Sequence, residues 1–241
     1  MTPRASQTEP VEAVLFDFAG TLLVPVPAVE WLEQVTGERD DTRAGRYDAA
    51  GRPGGPEPTV LPDELAEDYA RRDVSPELHA RVYTELLARE AGFALGQALY
   101  EAAIDPAGWT PYPDTAPVLR ALREGGVRTA VVSNVGFDLP ALFAGHGLAG
   151  LIDEFVLSYE LGAMKPAAEL FQAALDRLGV APERALMVGD NPRADAGGVD
   201  LGIRTLLLPY SPPGRPHGLD AVRALALGPS EPSPPPAPDP G

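Results

Sequence analysis

The sequence predicts an α/β fold: a doubly wound parallel sheet with an inserted helical subdomain. Three observations predict it. Short apolar runs at 11–17, 127–133, 154–157, 185–189 and 204–208 have the length and content of buried strands. Helical stretches alternate with the last four runs, and such alternation means parallel strands with helices on both faces. Residues 25–108 show helical patterns and no convincing strand. The core is therefore expected to be Rossmann-like, built from 11–24 and 109–227, with 25–108 as a helical subdomain.

The elements follow in order. Val11-Glu-Ala-Val-Leu-Phe-Asp17 is a strand ending in an acid, and Ala19-Gly20-Thr21 supplies a turn after it. A short helix is expected at 28–35. Residues 36–59 are polar and rich in Gly, Pro and Arg, and are expected to form a long loop. A helix follows at 62–72. Ser75-Pro76-Glu77 opens another, with Ser as N-cap and Pro in the first turn. Leu78, Val82, Leu86 and Leu87 share one face of it. Residues 94–104 complete the helical segment. In the second half, helices are expected at 114–123, 138–145, 167–178, 193–201 and 219–227. Residues 1–10 and the proline-dominated tail 228–241 are expected to be disordered.

Composition bounds the function. With 241 residues, 44% of them hydrophobic, the chain can bury one α/β core plus a subdomain. It has no cysteine, so disulfides and thiolate metal sites are excluded. A net charge of −16 argues against nucleic acid as a partner. No apolar run approaches the ~18 residues of a membrane span, and residues 1–10 carry no signal-peptide pattern, so the chain is expected to be cytoplasmic. Lys165 is the single lysine among nineteen Lys and Arg, which singles out a place for a compact ammonium.

Ligands of such sheets bind at the C-terminal strand ends. There the sequence sets Asp17, Ser133-Asn134 and Gly189-Asp190, with Lys165-Pro166 at a helix start and Asp195 five residues beyond Asp190. Carboxylates gathered so closely repel one another unless a cation sits among them. Oxygen ligands without Cys or grouped His point to Mg²⁺. A Mg²⁺ site lined by Lys and Ser suits a phosphoryl group, with a carboxylate as possible nucleophile. Backbone N–H groups of the Gly20-Thr21 turn are candidates to cradle phosphate oxygens.

Asp17-Phe18-Ala19-Gly20-Thr21-Leu22, Ser133-Asn134, Lys165-Pro166 and Gly189-Asp190 with Asp195 resemble the four ordered motifs of the haloacid dehalogenase-like superfamily. The resemblance spans about half the chain. It implies a nucleophilic, Mg²⁺-binding Asp17, and a phosphoryl group held by Ser133, Asn134 and Lys165. It implies metal binding by Asp190, supported by Asp195, and a cap formed by 25–108. The expected substrate is a small phosphorylated metabolite.

One position departs. Phosphatases of the superfamily carry a second Asp two residues after the nucleophile, as general acid and base; this chain has Ala19. Ala19 keeps the backbone carbonyl that the family offers to the metal. The missing acid–base group is worth roughly 10²–10⁴ in rate unless the cap replaces it. His79, Glu64 and Asp68 are the titratable cap residues considered for that role. The departure leaves a phosphatase or phosphotransferase as the leading expectation and a weakened binding or regulatory protein as the alternative. Phosphonoacetaldehyde hydrolases also have Ala there but need a cap lysine, and 25–108 contains none. Haloacid dehalogenases lack the second Asp but need no metal, against which the Asp190–Asp195 pair speaks.

Overall fold

In the computed structural model, which describes residues 9–228, Ala13–Phe16 forms strand β1, with every residue buried. It lies at the centre of a parallel five-stranded sheet with β4 (Arg128–Ser133), β5 (Glu154–Leu157), β6 (Ala185–Gly189) and β7 (Arg204–Leu207). The order is β5-β4-β1-β6-β7, so the chain winds out to one side of β1 and then to the other. The five expected strands are all present, and the sheet is the expected Rossmann-like one. The disorder expected for 1–10 and 228–241 falls outside the described residues but for Glu9, Pro10 and Gly228.

Both faces of the sheet are apolar because both are covered. Val14, Phe16, Val131, Leu186 and Val188 point to one side, into a core with Val118, Leu119 and Leu122 of α6 (Thr115–Glu124). Leu142 and Phe143 of α7 (Leu139–Gly145) and Val222 of α11 (Asp220–Leu227) join that layer. The alternate residues Ala13, Leu15, Ala130, Val132 and Met187 meet Leu170, Phe171 and Leu175 of α9 (Ala168–Leu178) on the other side. Each large side chain so buried contributes about 1.5–3 kcal/mol. A short α8 (Ser158–Leu161) follows β5. The helix expected over 193–201 is instead α10 (Pro192–Asp195) continued by a 3₁₀ segment, Ala196–Leu201. Gly197 lies against the Pro166 backbone, where no Cβ fits, and Gly198 packs closely on Ile203 and Phe171.

Between β1 and β4 the chain makes a separate helical unit. A two-stranded antiparallel ribbon, β2 (Leu23–Pro25) with β3 (Trp109–Pro111), brings its two ends together. Neither three-residue strand has enough length for a sequence pattern. The helices are α1 (Ala28–Thr36), α2 (Asp41–Ala50), α3 (Asp63–Ala70), α4 (Pro76–Ala91) and α5 (Phe93–Ile104). They enclose their own apolar cluster around Trp31, Tyr47, Leu65, Val82, Leu86 and Leu99. The Trp31 Nε1–H donates to the Leu99 carbonyl at 3.1 Å across this cluster. The Ser75 cap forms as expected, its hydroxyl accepting from the Leu78 N–H. Helix α2 corrects the expectation of a loop over 36–59. Asp40 caps it by accepting from the Arg43 N–H at 2.9 Å, and Ala44 and Tyr47, three residues apart, bury their face of an otherwise polar helix.

Candidate active site

The switch in winding direction falls between β1 and β6, the crevice where sheets of this kind bind ligands. Asp17 follows β1, Asp190 follows β6, and Ser133 closes β4 on the other side of β1. All three line one cleft of about 720 Å³ between the sheet edge and the helical unit. Ala19, Gly20, Asn134, Lys165 and Asp195 line it as well.

Lys165 is the hub. Its buried Nζ donates to Asp17 Oδ1 at 2.6 Å and to Asp195 Oδ1 at 2.7 Å. Burial works against its charge, but the two carboxylates outweigh burial and hold its pKa above the ordinary value, so it is an ammonium. Burial pushes the Asp17 carboxyl up; Lys165 opposes this and Asp195 adds to it, and the net direction is up. Asp190, the exposed member, is pushed up to about 7 by partial desolvation and then by Asp17 and Asp195. One oxygen from each of Asp17, Asp190 and Asp195 lies within 4.8 Å of the others. Three carboxylates against one ammonium leave an excess of negative charge in an all-oxygen cluster, which fits a hard divalent cation. Asp195 is wholly buried, with Oδ1 on Lys165 and Oδ2 accepting from the Asn191 N–H at 2.9 Å, so it supports the cluster from below.

The turn after Asp17 behaves differently from the expectation. The Gly20 N–H donates to the Leu23 carbonyl at 2.7 Å and the Thr21 N–H to the Phe18 carbonyl at 3.3 Å. Neither is free to cradle phosphate; both close the turn on itself. Thr21 instead turns its hydroxyl towards Asp17 Oδ2, at 3.5 Å. The parallel bridge between Ala19 and Leu23 uses the Phe18 carbonyl and the Gly20 N–H. Ala19's own N–H and carbonyl take no part in that bridge. Asn134 is tied to the lysine. Its carboxamide accepts from the Lys165 N–H at 2.6 Å and donates to the Lys165 carbonyl at 3.0 Å. It clamps the main chain of the lysine.

Of the three titratable residues considered as replacements for the missing acid, only His79 reaches the cleft. It is buried, with Nδ1 2.9 Å from the Tyr100 hydroxyl. Burial, then Arg72, holds its pKa down to about 3, so it is neutral. Glu64 and Asp68 face solvent in ion pairs with Arg89 and Arg81. The far wall instead carries Arg52, Glu57, Tyr69, Arg72, Asp73 and Tyr83, which pattern reading missed. The Arg72 guanidinium lies 3.9 Å from the Tyr69 ring centroid and donates to the Tyr83 hydroxyl at 2.9 Å. Arg72-Asp73 sits in a three-residue 3₁₀ turn, too short for periodicity; the one available signal was a charged pair set between two amphipathic helices.

A buried carboxylate–ammonium–carboxylate triad thus lies at the switch point of a doubly wound sheet, roofed by inserted helices. Residues 11–199 match the family described as haloacid dehalogenase-like hydrolase, and the chain belongs to that family. A phosphoglycolate phosphatase of Rhodospirillum rubrum is 32% identical over 83% of this chain and 80% of its own length. A phosphoserine phosphatase of Thermus thermophilus is 40% identical, but over 52% of each chain, so the match spans about half of that relative. Among solved structures, a HAD phosphatase from Thermococcus onnurineus superimposes with a TM-score of 0.57, 24% identity and coverage of 90% of this chain and 99% of the other. L-2-haloacid dehalogenase from Xanthobacter autotrophicus gives 0.61, 22%, 82% and 77%. These two likenesses are of fold. Among the described residues no helix is long and apolar enough to cross a membrane.

Proposed function

We propose that the chain is a Mg²⁺-dependent phosphohydrolase that acts on a small phosphate monoester through a covalent phosphate on Asp17. The observation that carries this reading is the Asp17–Lys165–Asp195 triad with Asp190 beside it. The relatives named as phosphatases support it. Residues 25–108 act as the cap, and 11–24 with 109–227 as the catalytic core. Asp17, Asp190 and the Ala19 carbonyl are the groups to hold Mg²⁺, with Asp195 behind them. The ion supplies charge neutralisation for the phosphoryl group when bound.

The chain's own residues do the rest. Lys165 orients one oxygen of Asp17, leaves the other for attack, and offers its charge to the phosphoryl oxygens. Ser133, buried at the end of β4, adds a hydroxyl to the same wall. The helical unit shields the cleft from bulk water. Asp17→Asn tests the reading: an amide is nearly isosteric but a poor nucleophile. The variant is expected to fold, to bind substrate and to lose turnover. Retained turnover would mean that Asp17 is not the nucleophile. A second reading, a binding protein on this fold, is favoured by Ala19 alone; it predicts phosphate binding with no labelled Asp17 in the wild type.

A further inference from the structure

Asp73 is unusual among the cleft residues. It is 5% exposed, yet it lines the same cleft as Asp17 and Ala19. Among the described residues nothing donates a hydrogen bond to its carboxyl group. The nearest cationic groups are Arg72, with Nε at 3.8 Å from Oδ2, and His79, with Nε2 at 3.7 Å from Oδ1; both stand beyond hydrogen-bond reach. The carboxyl group is largely desolvated, but its oxygens are not sealed in; they open onto the cleft with no protein donor on them.

Its main chain, by contrast, is pinned to the core. The Ser158 hydroxyl donates to the Asp73 carbonyl at 2.6 Å and accepts from the Val135 N–H at 2.9 Å. Val135 is two residues beyond Ser133. His79, one turn into α4, packs so closely on Gly136 that no Cβ fits there. The turn bearing Asp73 is therefore fastened to the strand end that carries Ser133. Position 19, which lines the same cleft, has no carboxyl group.

We propose that Asp73 is the general acid and base that Ala19 does not supply. This rests on the phosphohydrolase reading. In the first step an Asp17 oxygen bonds to phosphorus, the bond from phosphorus to the ester oxygen breaks, and that oxygen takes the Asp73 proton and leaves as the alcohol. In the second step water attacks the phosphorus and passes a proton to the Asp73 carboxylate. The bond from phosphorus to Asp17 breaks, and inorganic phosphate leaves with Asp73 reprotonated. The environment suits the protonated start. Burial raises the Asp73 pKa, Arg72 opposes and Glu57 adds to the rise. The other groups facing it are neutral: His79 and Tyr83 on α4, and Tyr100 on α5, the two phenols themselves pushed up by burial.

The test compares Asp73→Asn with wild type on glycerol phosphate, whose alkoxide must be protonated, and on p-nitrophenyl phosphate, whose leaving group needs no proton. The variant is expected to lose about 10²–10⁴ in kcat on glycerol phosphate. Its first-turnover burst of p-nitrophenol should stay near the wild-type rate, followed by slow turnover. Ala19→Asp added to Asp73→Asn should restore the alkyl activity. In wild type, the glycerol phosphate rate should fall as pH rises through the Asp73 pKa while the p-nitrophenol burst does not. That profile reads the role even if Asp73→Asn folds poorly. The proposal is overturned if Asp73→Asn keeps its alkyl rate within about threefold. It is also overturned if alkyl and aryl first turnovers fall together through a raised KM, the mark of a carboxylate that binds substrate. A wild type with neither burst nor labelled Asp17 defeats the phosphohydrolase reading itself, and is told apart from failure of Asp73 alone, which leaves the burst intact.

Discussion

The Asp190 carboxylate lies against the backbone of Gly20, so that a Cβ on Gly20 would stand 2.5 Å from Asp190 Oδ2. Gly20 also has φ +82°, a conformation that L side chains rarely adopt. The glycine therefore serves two ends at once: it turns the chain after Asp17 and lets β6 bring Asp190 up to it. Gly20→Ala is expected to cost about 1–2 kcal/mol of stability from the left-handed backbone alone. It should also displace Asp190 and weaken Mg²⁺ binding by about tenfold or more. Denaturant unfolding and calorimetric Mg²⁺ titration measure the two effects separately. Unchanged Mg²⁺ affinity would show that Asp190 does not hold the ion.

Mg²⁺ itself should stabilise the protein. Three carboxylates within 4.8 Å of one another are matched by one ammonium, and a cation binding only the folded state removes the imbalance. At a hundred times its Kd such a ligand adds about 2.7 kcal/mol. The melting temperature should rise with Mg²⁺ in wild type and rise much less in Asp190→Asn. Full hydrolytic activity in excess chelator would remove the metal from the reaction and favour a dehalogenase-type chemistry.

Much of this site could be read from the chain because its residues end strands. A buried parallel strand announces itself as an apolar run, and Asp17, Ser133 and Asp190 stand where such runs stop. What the residues do there was less legible. The Gly20 and Thr21 N–H groups and the Asn134 carboxamide have the right chemistry for phosphate, yet local hydrogen bonds claim both N–H groups and hold the carboxamide against the Lys165 main chain. Such bonds depend on the path of the turn, which side-chain pattern does not encode. Helix α2 was hidden because only Ala44 and Tyr47 of its ten residues are buried. Asp73 was hidden because its role depends on which strand end its turn is fastened to, and that is a tertiary fact.

The Asn134 clamp yields a further expectation. Its carboxamide makes two hydrogen bonds to the Lys165 main chain, one of them at 2.6 Å. Asn134→Ala leaves a partly buried N–H and carbonyl without these partners, at about 1–3 kcal/mol each at most. Lys165 Nζ would then lose its fixed position between Asp17 and Asp195. Stability should fall, and kcat should fall more than substrate affinity, because the lysine is needed most as charge develops. Equal stability and equal kcat in the variant would show that Lys165 is held by its carboxylates alone.

His79 sets a pH dependence of stability that can be isolated by one substitution. Its ring is buried against Tyr83 and Phe137, with Nδ1 on the Tyr100 hydroxyl. Burial, then the Arg72 charge, lowers its pKa from 6.5 to about 3. Above pH ~6.5 the imidazole is neutral in both folded and unfolded chains and has no linkage effect. Between ~6.5 and ~3 the unfolded chain binds a proton that the folded chain refuses, so stability falls as pH falls. The slope is at most about 1.4 kcal/mol per pH unit. Asp73 and Asp190, whose folded pKa values are raised, act in the opposite sense over acidic pH, since the native state holds their protons longer. The raw curve of the wild type therefore mixes opposing slopes. The difference between wild type and His79→Gln separates them, because Gln keeps a polar contact to Tyr100 and does not titrate. As the pH is lowered from 7.5 to 4.5, the urea midpoint of the wild type should fall relative to that of His79→Gln, whatever constant penalty the substitution carries at pH 7.5. Parallel curves would mean that His79 takes up its proton in the folded state, and that the cap opens to water near the position where Asp73 is fastened to the core.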